Sequence, residues 1–245
     1  MLEAKLELDV ISYNAGLDAC ETGGQWQRAL SLLSEMWDVK LELEASSYSA
    51  GVGACKRGKQ WQRALSLFRE MCAVKLEPDD ISYNAGMSAC NNGRQWTLAL
   101  MLLSEMREAK LDPTVKSYNI GISAYQKGRK WQCALSLLSE VSEAKLEPDA
   151  ISYNAAISAL EKGGQWQRAL ALLSEMRQTK MEPSIISYNA AISACRQQWH
   201  QALSLLGDVW DARLEPQSAT TLGSARAKRA SSGSGLSRCS ARCGM

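Results

Sequence analysis

The sequence repeats with a period of 35 residues, and this period constrains the fold more than any local pattern does. One tyrosine recurs at every step, one tryptophan recurs until a last step of 33 residues, and all five prolines share a single phase. These series are Tyr13, Tyr48, Tyr83, Tyr118, Tyr153 and Tyr188; Trp26, Trp61, Trp96, Trp131, Trp166 and Trp199; and Pro78, Pro113, Pro148, Pro183 and Pro216. The chain is therefore predicted to fold as an array of equal units.

Each unit contains two stretches with the apolar spacing of an amphipathic helix. In the fifth unit the stretches are 151–160 and 166–176, with Gly163 and Gly164 between them. Proline closes the unit, as at Pro148, because it prevents the second helix from continuing. A hairpin of this size cannot bury its apolar stripe alone, so neighbouring units must stack. We therefore predict an all-α fold, an α-solenoid of about six helix-turn-helix repeats.

The predicted array occupies residues 10–217. Its units are 10–44, 45–79, 80–114, 115–149, 150–184 and 185–217. Residues 1–9 match the last quarter of an earlier unit, which favours a fragment of a longer array, and no targeting segment is visible. Residues 218–245 are predicted to be a basic, disordered tail rich in Ser, Ala and Gly. Five of the 28 basic residues and none of the 26 acidic residues follow Gln217, so the array itself is slightly acidic.

Composition argues against metal or enzymatic chemistry. The chain has one histidine, His200, and the tail pair Cys239 and Cys243 supplies only two of the four ligands of a closed zinc site. Four cysteines share one phase of the repeat: Cys20, Cys55, Cys90 and Cys195. In stacked units they would lie about 9–10 Å apart, too far for a disulfide, so we predict that they are buried thiols. We expect no catalytic residue, no metal site and no cofactor. Nor do we expect a membrane-bound protein, because charged residues interrupt the apolar stretches.

Most units open with the tripeptide Ser-Tyr-Asn, and some close with Pro-Asp. The tripeptides begin at Ser12, Ser82, Ser117, Ser152 and Ser187, and the Pro-Asp pairs begin at Pro78 and Pro148. With the 35-residue period, and with Trp opening the second helix, this pattern resembles the pentatricopeptide repeat family. It departs from the 34-residue tetratricopeptide repeat. The resemblance implies a right-handed α-solenoid, a P-type array without a catalytic appendage, and single-stranded RNA as partner.

In the family, the residue after the tyrosine and the last residue of the same unit read one base. The pairs here are Asn14 with Glu44, Ser49 with Asp79, Asn84 with Thr114, Asn119 with Asp149, Asn154 with Ser184, and Asn189 with Gln217. Short polar side chains can address a Watson–Crick edge at low entropic cost. The resemblance implies uracil at Asn119/Asp149, guanine at Ser49/Asp79 and pyrimidines in general at Asn.

The family also holds each base between apolar side chains at the second position of the unit. The matching residues are Ile11, Ile81, Ile151 and Ile186, while Ser46 and Lys116 interrupt the series. Phosphate contact is implied for a basic residue near the end of the first helix, which here is Arg57, Lys127 or Lys162. Three neutralised phosphates predict a shallow salt dependence, with a log–log slope near 2 in magnitude at about 0.7 per contact.

Several features have a structural explanation beside the functional one. The recurring asparagine can be a helix N-terminal residue bonded to the backbone. The tyrosine and tryptophan series favour packing between repeats over a stacking platform for bases. An α-solenoid scaffold for a protein partner is the alternative function, since the array is slightly acidic. By family resemblance alone, we expect a role in organellar RNA processing, stability or translation, in a chloroplast or mitochondrion.

Overall fold

The computed structural model describes residues 9–179 and 181–211, and these form twelve α-helices and no strand. The helices are α1 (Val10–Gly23), α2 (Trp26–Asp38), α3 (Ala45–Arg57), α4 (Trp61–Ala73), α5 (Asp80–Asn92), α6 (Trp96–Glu108), α7 (Val115–Lys127), α8 (Trp131–Glu143), α9 (Ala150–Lys162), α10 (Trp166–Gln178), α11 (Ile185–Ala194) and α12 (Trp199–Asp211). The predicted all-α array of helical hairpins is confirmed. Most of the partial upstream repeat, Gln217 and the tail lie outside the described residues.

The first helix of each unit begins directly after the last residue of the preceding unit, which serves as its N-cap. At α5, Asp79 accepts a hydrogen bond from the backbone N–H of Ser82 at 2.8 Å, and at α9, Asp149 accepts one from Ser152 at the same distance. Such a cap contributes about 1 kcal/mol by satisfying a free backbone donor. The proline that closes most units therefore lies one residue before the cap.

Left-handed residues end both helices of most hairpins. The turn between the two helices places Gly24 and Gly164 at φ 64° and 66°, as the glycine pattern predicts. Other units hold basic residues in the same conformation, and those of known φ are Lys59, Arg94 and Arg129 after the first helix and Lys40, Lys75, Lys110 and Lys145 after the second. The lysine series thus marks helix ends. Its recurrence reflects a backbone position in which a glycine would be less strained.

The hairpins stack so that their first helices form the inner wall. Each first helix packs along the first helices of the neighbouring units, whereas second helices in the described part of the chain meet through side chains, such as Arg107 with Glu140 and Arg177 with Asp208. A second helix contacts its own first helix and the first helix of the next unit. Because the first helices lie closer together than the second helices do, they line the concave side of the array.

The tyrosine series packs between repeats, as predicted. Tyr48, Tyr83, Tyr118, Tyr153 and Tyr188 are all buried. The four series cysteines are buried and free, with no disulfide among the described cysteines. Buried methionines at one phase of the second helices fill the space behind them; these are Met36, Met71, Met106 and Met176.

The tryptophan series packs against glycines of the next unit. Trp26, Trp61, Trp96 and Trp131 each open a second helix, and each ring lies against the glycine 32 residues later; these glycines are Gly58, Gly93, Gly128 and Gly163. A Cβ added at any of them would come within 3.0 Å of the ring. The sixth unit has Gln198 at that place and a shorter first helix, α11, which ends at Ala194. Four residues, 195–198, connect α11 to α12, against three, 163–165, between α9 and α10, so the shortening of this unit falls on its first helix and not on the connection.

None of the helices in the described part of the chain is long and apolar enough to cross a membrane.

Candidate nucleic-acid interface

Three predicted site positions recur along one face of the first helices, and α9 carries the predicted kind of residue at all three. In α9 they are Ile151, Asn154 and Lys162, at spacings of three and eleven residues. Eleven residues make slightly more than three helical turns, and three residues make slightly less than one. The predicted base-sandwiching, base-reading and phosphate-contacting positions therefore follow one another from the start to the end of the same helix face.

The predicted sandwiching isoleucines are large apolar side chains left in solvent. Ile11, Ile81, Ile151 and Ile186 are 61–77 % exposed, although each lies in a well-packed helix. Ser46 and Lys116 stand at the same phase and are exposed too. A series of exposed isoleucines, one per unit at four of six units, is unusual on a protein surface and indicates a contact face.

The predicted reading asparagines are less accessible than the isoleucines. Asn189 is exposed, Asn14 and Asn154 are partly exposed, and Asn84 and Asn119 retain only 3 % and 9 % of their surface. These side chains lie at the seam between consecutive first helices. In the middle of the array the next unit covers most of the side chain, so little of Asn84 and Asn119 is open to a groove.

A serine from the next unit holds the reading residue at several seams. Ser47 Oγ donates to Asn14 Oδ1 at 2.7 Å, Ser152 Oγ to Asn119 Oδ1 at 2.5 Å, and Ser187 Oγ to Asn154 Oδ1 at 2.6 Å. The hydroxyls of Ser49 and Ser82 are also hydrogen-bonded to each other. These serines are the first residues of the Ser-Tyr-Asn tripeptides or their equivalents. The sequence pattern alone did not suggest that they touch the preceding unit.

The second predicted reader of each described pair is the N-cap of the following helix. At one seam the two readers meet directly, because Asn119 Nδ2 donates to Asp149 Oδ1 at 3.0 Å. Burial raises the pKa of Asp149, but hydrogen bonds from the Ser152 backbone, Asn119 and the Ser152 hydroxyl outweigh it and leave the pKa below its usual value. The carboxylate is therefore ionised at neutral pH. Capping belongs to Asp149 and its equivalents, so the interpretation of the asparagine as the helix-capping residue is wrong.

The seam at Asn84 and Thr114 is built differently. Ser117 Oγ hydrogen-bonds Thr114 Oγ1 at 3.2 Å, and the Oδ1 atom of Asn84 is buried without a hydrogen-bond partner. An unpaired buried carbonyl is costly, and this oxygen is closed to solvent as the third and fourth units stack. The six units therefore do not present identical polar groups.

The predicted phosphate-contacting residues occupy equivalent, exposed places. Arg57, Lys127 and Lys162 are the last residues of α3, α7 and α9. Lys127 Nζ donates to the backbone carbonyl of Asn91 in the preceding unit at 2.6 Å. Burial, followed by the positive charges of Lys162 and Arg94, lowers the pKa of Lys127. The cations of adjacent units are thus close enough to repel one another.

The structure adds cations that the sequence reading did not assign to this face. Lys56 forms an ion pair with Glu21 at 3.8 Å. Its pKa is lowered by burial, against the attraction of Glu21, and further by the charges of Lys116 and Arg57. Lys116, read from the sequence as an interruption of the apolar series, therefore contributes to a positive cluster. The sequence signal that could have placed Lys116 on this face is its position in the repeat, which it shares with the exposed isoleucines.

A cleft of about 600 Å³ opens beside this cluster, between the second and third units. It is lined by Lys56, Arg57, Lys59, Ser88, Asn91 and Asn92. Among the residues that the structure describes, no group of three His, Cys, Asp or Glu side chains is placed to hold a metal ion. The cleft is cationic and polar, which suits an anionic ligand.

The fold and this face define an α-solenoid repeat protein with a continuous concave wall. A family profile described as "Pentatricopeptide repeat domain" matches residues 31–93, 66–128 and 136–198, and a profile described as "PPR repeat" matches residues 11–40. These matches cover well over half of the sequence. The chain belongs to the pentatricopeptide repeat family.

Solved structures of the family share the fold. PPR10 from maize superposes with a TM-score of 0.61 at 24% identity, over 95% of this chain and 36% of that one. PPR10 in complex with an 18-nt psaJ RNA element gives a TM-score of 0.60 at 21% identity, over 87% of this chain and 36% of that one. The PPR domain of Arabidopsis thaliana protein-only RNase P 1, in complex with tRNA, gives a TM-score of 0.65 at 16% identity, over 76% of this chain and 96% of that one. This chain thus spans about a third of the length of PPR10. The comparison with curated proteins finds no significant match.

Proposed function

We propose that this chain binds single-stranded RNA along its concave wall, with selectivity for base sequence. The observation that carries the proposal is the series of exposed isoleucines, which share a helix face with amide and cationic side chains. Family membership and the RNA complex of PPR10 support the same ligand. In α9 all three kinds of residue occur together, and each of the other first helices carries two of them.

Each kind of residue has a distinct role in this binding. The isoleucines contact the faces of the bases, and Ile151 with Ile186 can hold one base between adjacent units. The residues at the seam meet the edge of the base, and the cations at the helix ends neutralise phosphates. Binding of this kind acts by occupancy: it blocks nucleases or keeps a segment unpaired. We propose that the chain itself is a binder and not an enzyme, and that it serves transcript processing, stability or translation in a chloroplast or mitochondrion.

Charge reversal tests the proposed face. Arg57→Glu combined with Lys127→Glu removes two cations from the concave wall, and we expect roughly a tenfold or larger loss of affinity for a uridine-rich oligonucleotide. Arg28→Glu combined with Arg168→Glu is the matched control, since both residues are exposed on second helices. Fluorescence anisotropy at about 0.1 M salt measures both variants. Equal losses in the two variants would refute the assignment of the face.

The salt dependence of binding counts the phosphates contacted. The three cations assigned from the sequence give a log–log slope of about 2 in magnitude, while Lys56, Lys116 and Arg94 raise it to about 4. Anisotropy titrations over a series of salt concentrations distinguish the two values. A slope near zero would contradict phosphate contact altogether.

A protein partner is the alternative, and one observation favours it. Trp37 and Trp210 are 63 % and 76 % exposed on second helices, away from the concave wall. Large exposed aromatic side chains are typical of protein interfaces. The scaffold function stands instead if no oligonucleotide binds at low salt, if the wild-type chain binds a protein partner, and if Trp37→Ala abolishes that binding.

A further inference from the structure

The reading asparagines have two chemically different ends, and at three seams a serine of the next unit donates to the carbonyl end. An amide group offers a carbonyl acceptor on one side and an NH₂ donor on the other, and a half-turn of the side chain exchanges them. A freely turning asparagine therefore accepts either hydrogen-bonding pattern. Selectivity requires that one orientation be held before the ligand arrives.

At the seam between the fourth and fifth units, two contacts hold the amide of Asn119. Ser152 Oγ donates to Asn119 Oδ1 at 2.5 Å, and Asn119 Nδ2 donates to Asp149 Oδ1 at 3.0 Å. Ser152 is fully buried, so water does not compete for its hydroxyl. After both contacts, one N–H of the amide remains for a ligand.

The charge of Asp149 disfavours the reverse orientation at this seam. An ionised carboxylate can only accept hydrogen bonds, and a half-turn of Asn119 would place Oδ1 against Asp149 Oδ1 at the distance now spanned by a hydrogen bond. Ser152 Oγ also accepts the backbone N–H of Asp149 at 3.2 Å, which leaves its proton for the asparagine or the carboxylate. Ser152 therefore supports the same orientation that Asp149 demands.

We propose that Ser152 is a positioning residue for base selection: by holding the Asn119 carbonyl, it makes this seam present one donor beside one acceptor, which selects uracil over guanine. Uracil meets that pair with a carbonyl oxygen and its N3–H. A turned amide would instead present two acceptors, the pattern that matches the two N–H donors on the edge of guanine. The inference rests on the proposed RNA-binding function and concerns one seam of it.

The other seams supply internal comparisons. Ser187 holds Asn154 in the same way at 2.6 Å, but its neighbour at the cap is the neutral Ser184, so only the serine fixes that amide. At the third unit, Ser117 bonds to the cap Thr114 and not to Asn84. Removing Ser117 therefore costs a helix cap without releasing a reading asparagine.

The experiment compares uracil with guanine at single positions of an otherwise uniform oligonucleotide. Asn119→Ala first identifies the nucleotide that this seam reads, as the position where discrimination is lost. At that position we expect Ser152→Ala to reduce the uracil-to-guanine affinity ratio by about three- to tenfold, and Ser152→Thr, which keeps the hydroxyl, to restore it. Ser117→Ala is the matched control and leaves the ratio at its own seam unchanged. The uracil and guanine affinities that make up each ratio are measured on the same variant, so a general loss of stability lowers both and cancels in the ratio.

The outcomes separate this inference from the proposed function. If the wild-type chain binds no RNA, the proposed function fails. If it binds, and Asn119→Ala loses discrimination while Ser152→Ala keeps the ratio within twofold of wild type, the positioning role is overturned and RNA binding stands. Should Ser152→Ala not fold, Ser187→Ala at the Asn154 seam supplies the same comparison, and an unchanged ratio there overturns the inference equally.

Discussion

Replacing Gly93 by alanine tests the packing that joins consecutive repeats. Gly93 has φ −74° and ψ 5°, a conformation that alanine adopts without strain, so the backbone itself does not resist the change. The new Cβ, however, would overlap the Trp61 ring and come within 2.9 Å of the Trp61 Cβ atom. Because these atoms lie near the Trp61 backbone, the ring cannot swing aside, and the two helices must separate.

Overpacking of this kind costs roughly 1–3 kcal/mol. For a chain of this size that lowers the thermal midpoint by roughly 2–12 °C, measured by circular dichroism at 222 nm. The lost stability belongs to the seam between the second and third units, so the transition should also broaden as the two parts of the array uncouple. Equivalent changes at Gly58 and Gly163 should behave alike, because each meets a tryptophan ring.

Gly207→Ala is the matched control. Gly207 lies within α12, and a Cβ added there meets nothing within 4 Å. Alanine is the better helix former, so this variant should gain about 1 kcal/mol. Replacing glycine by alanine should therefore lower the stability at Gly93 and raise it at Gly207. A Gly93→Ala protein as stable as the wild type, with Gly207→Ala stabilised as expected, would refute the tryptophan–glycine contact.

Three further measurements probe other parts of the array. Lys110 has φ 58°, so Lys110→Gly should raise the free energy of unfolding by about 1 kcal/mol in urea titrations, and an unchanged midpoint would contradict the left-handed conformation. The folded pKa of Asp149 is depressed, so its stabilisation is present above the unfolded pKa of about 3.9 and is lost as the pH falls through the folded value; Asp149→Asn should flatten this part of the pH profile. Burial raises the pKa of Cys55 to about 11, and its thiol is fully buried, so iodoacetamide followed by peptide mapping should label the exposed Cys133 well before Cys55.

Much of the fold could be predicted from the sequence because its determinants are local and recur. The apolar spacing from Trp166 to Met176 defines a helix face without knowledge of its partner, and Pro148 marks a boundary through its own backbone chemistry. The left-handed position of Gly24 followed from its residue type. The same conformation at Lys59 could not be predicted, since a side chain there is tolerated at a cost and leaves no signal.

The site was less accessible to sequence reasoning, because its contacts join different units. The hydrogen bond from Ser152 to Asn119 spans 33 residues and depends on the register in which two hairpins stack. Periodicity predicts that units stack but does not fix which atoms meet at the seam. The burial of Asn84 has the same origin. From the sequence, Lys116 was predicted only to interrupt the isoleucine series. The structure brings it close enough to Lys56 for its charge to lower the pKa of Lys56, so it belongs to the cationic cluster.

The wider spacing of the second helices gives the array an elastic property. Neighbouring hairpins pack closely through their first helices, while the second helices are linked by exposed ion pairs such as Arg107 with Glu140, which can re-form at a new spacing. A small rotation at each junction therefore accumulates along the chain, and the two ends can move far while every junction changes little. On the proposed function, such bending lengthens or shortens the inner surface to match the spacing of adjacent nucleotides, and no packed interface between first helices has to break.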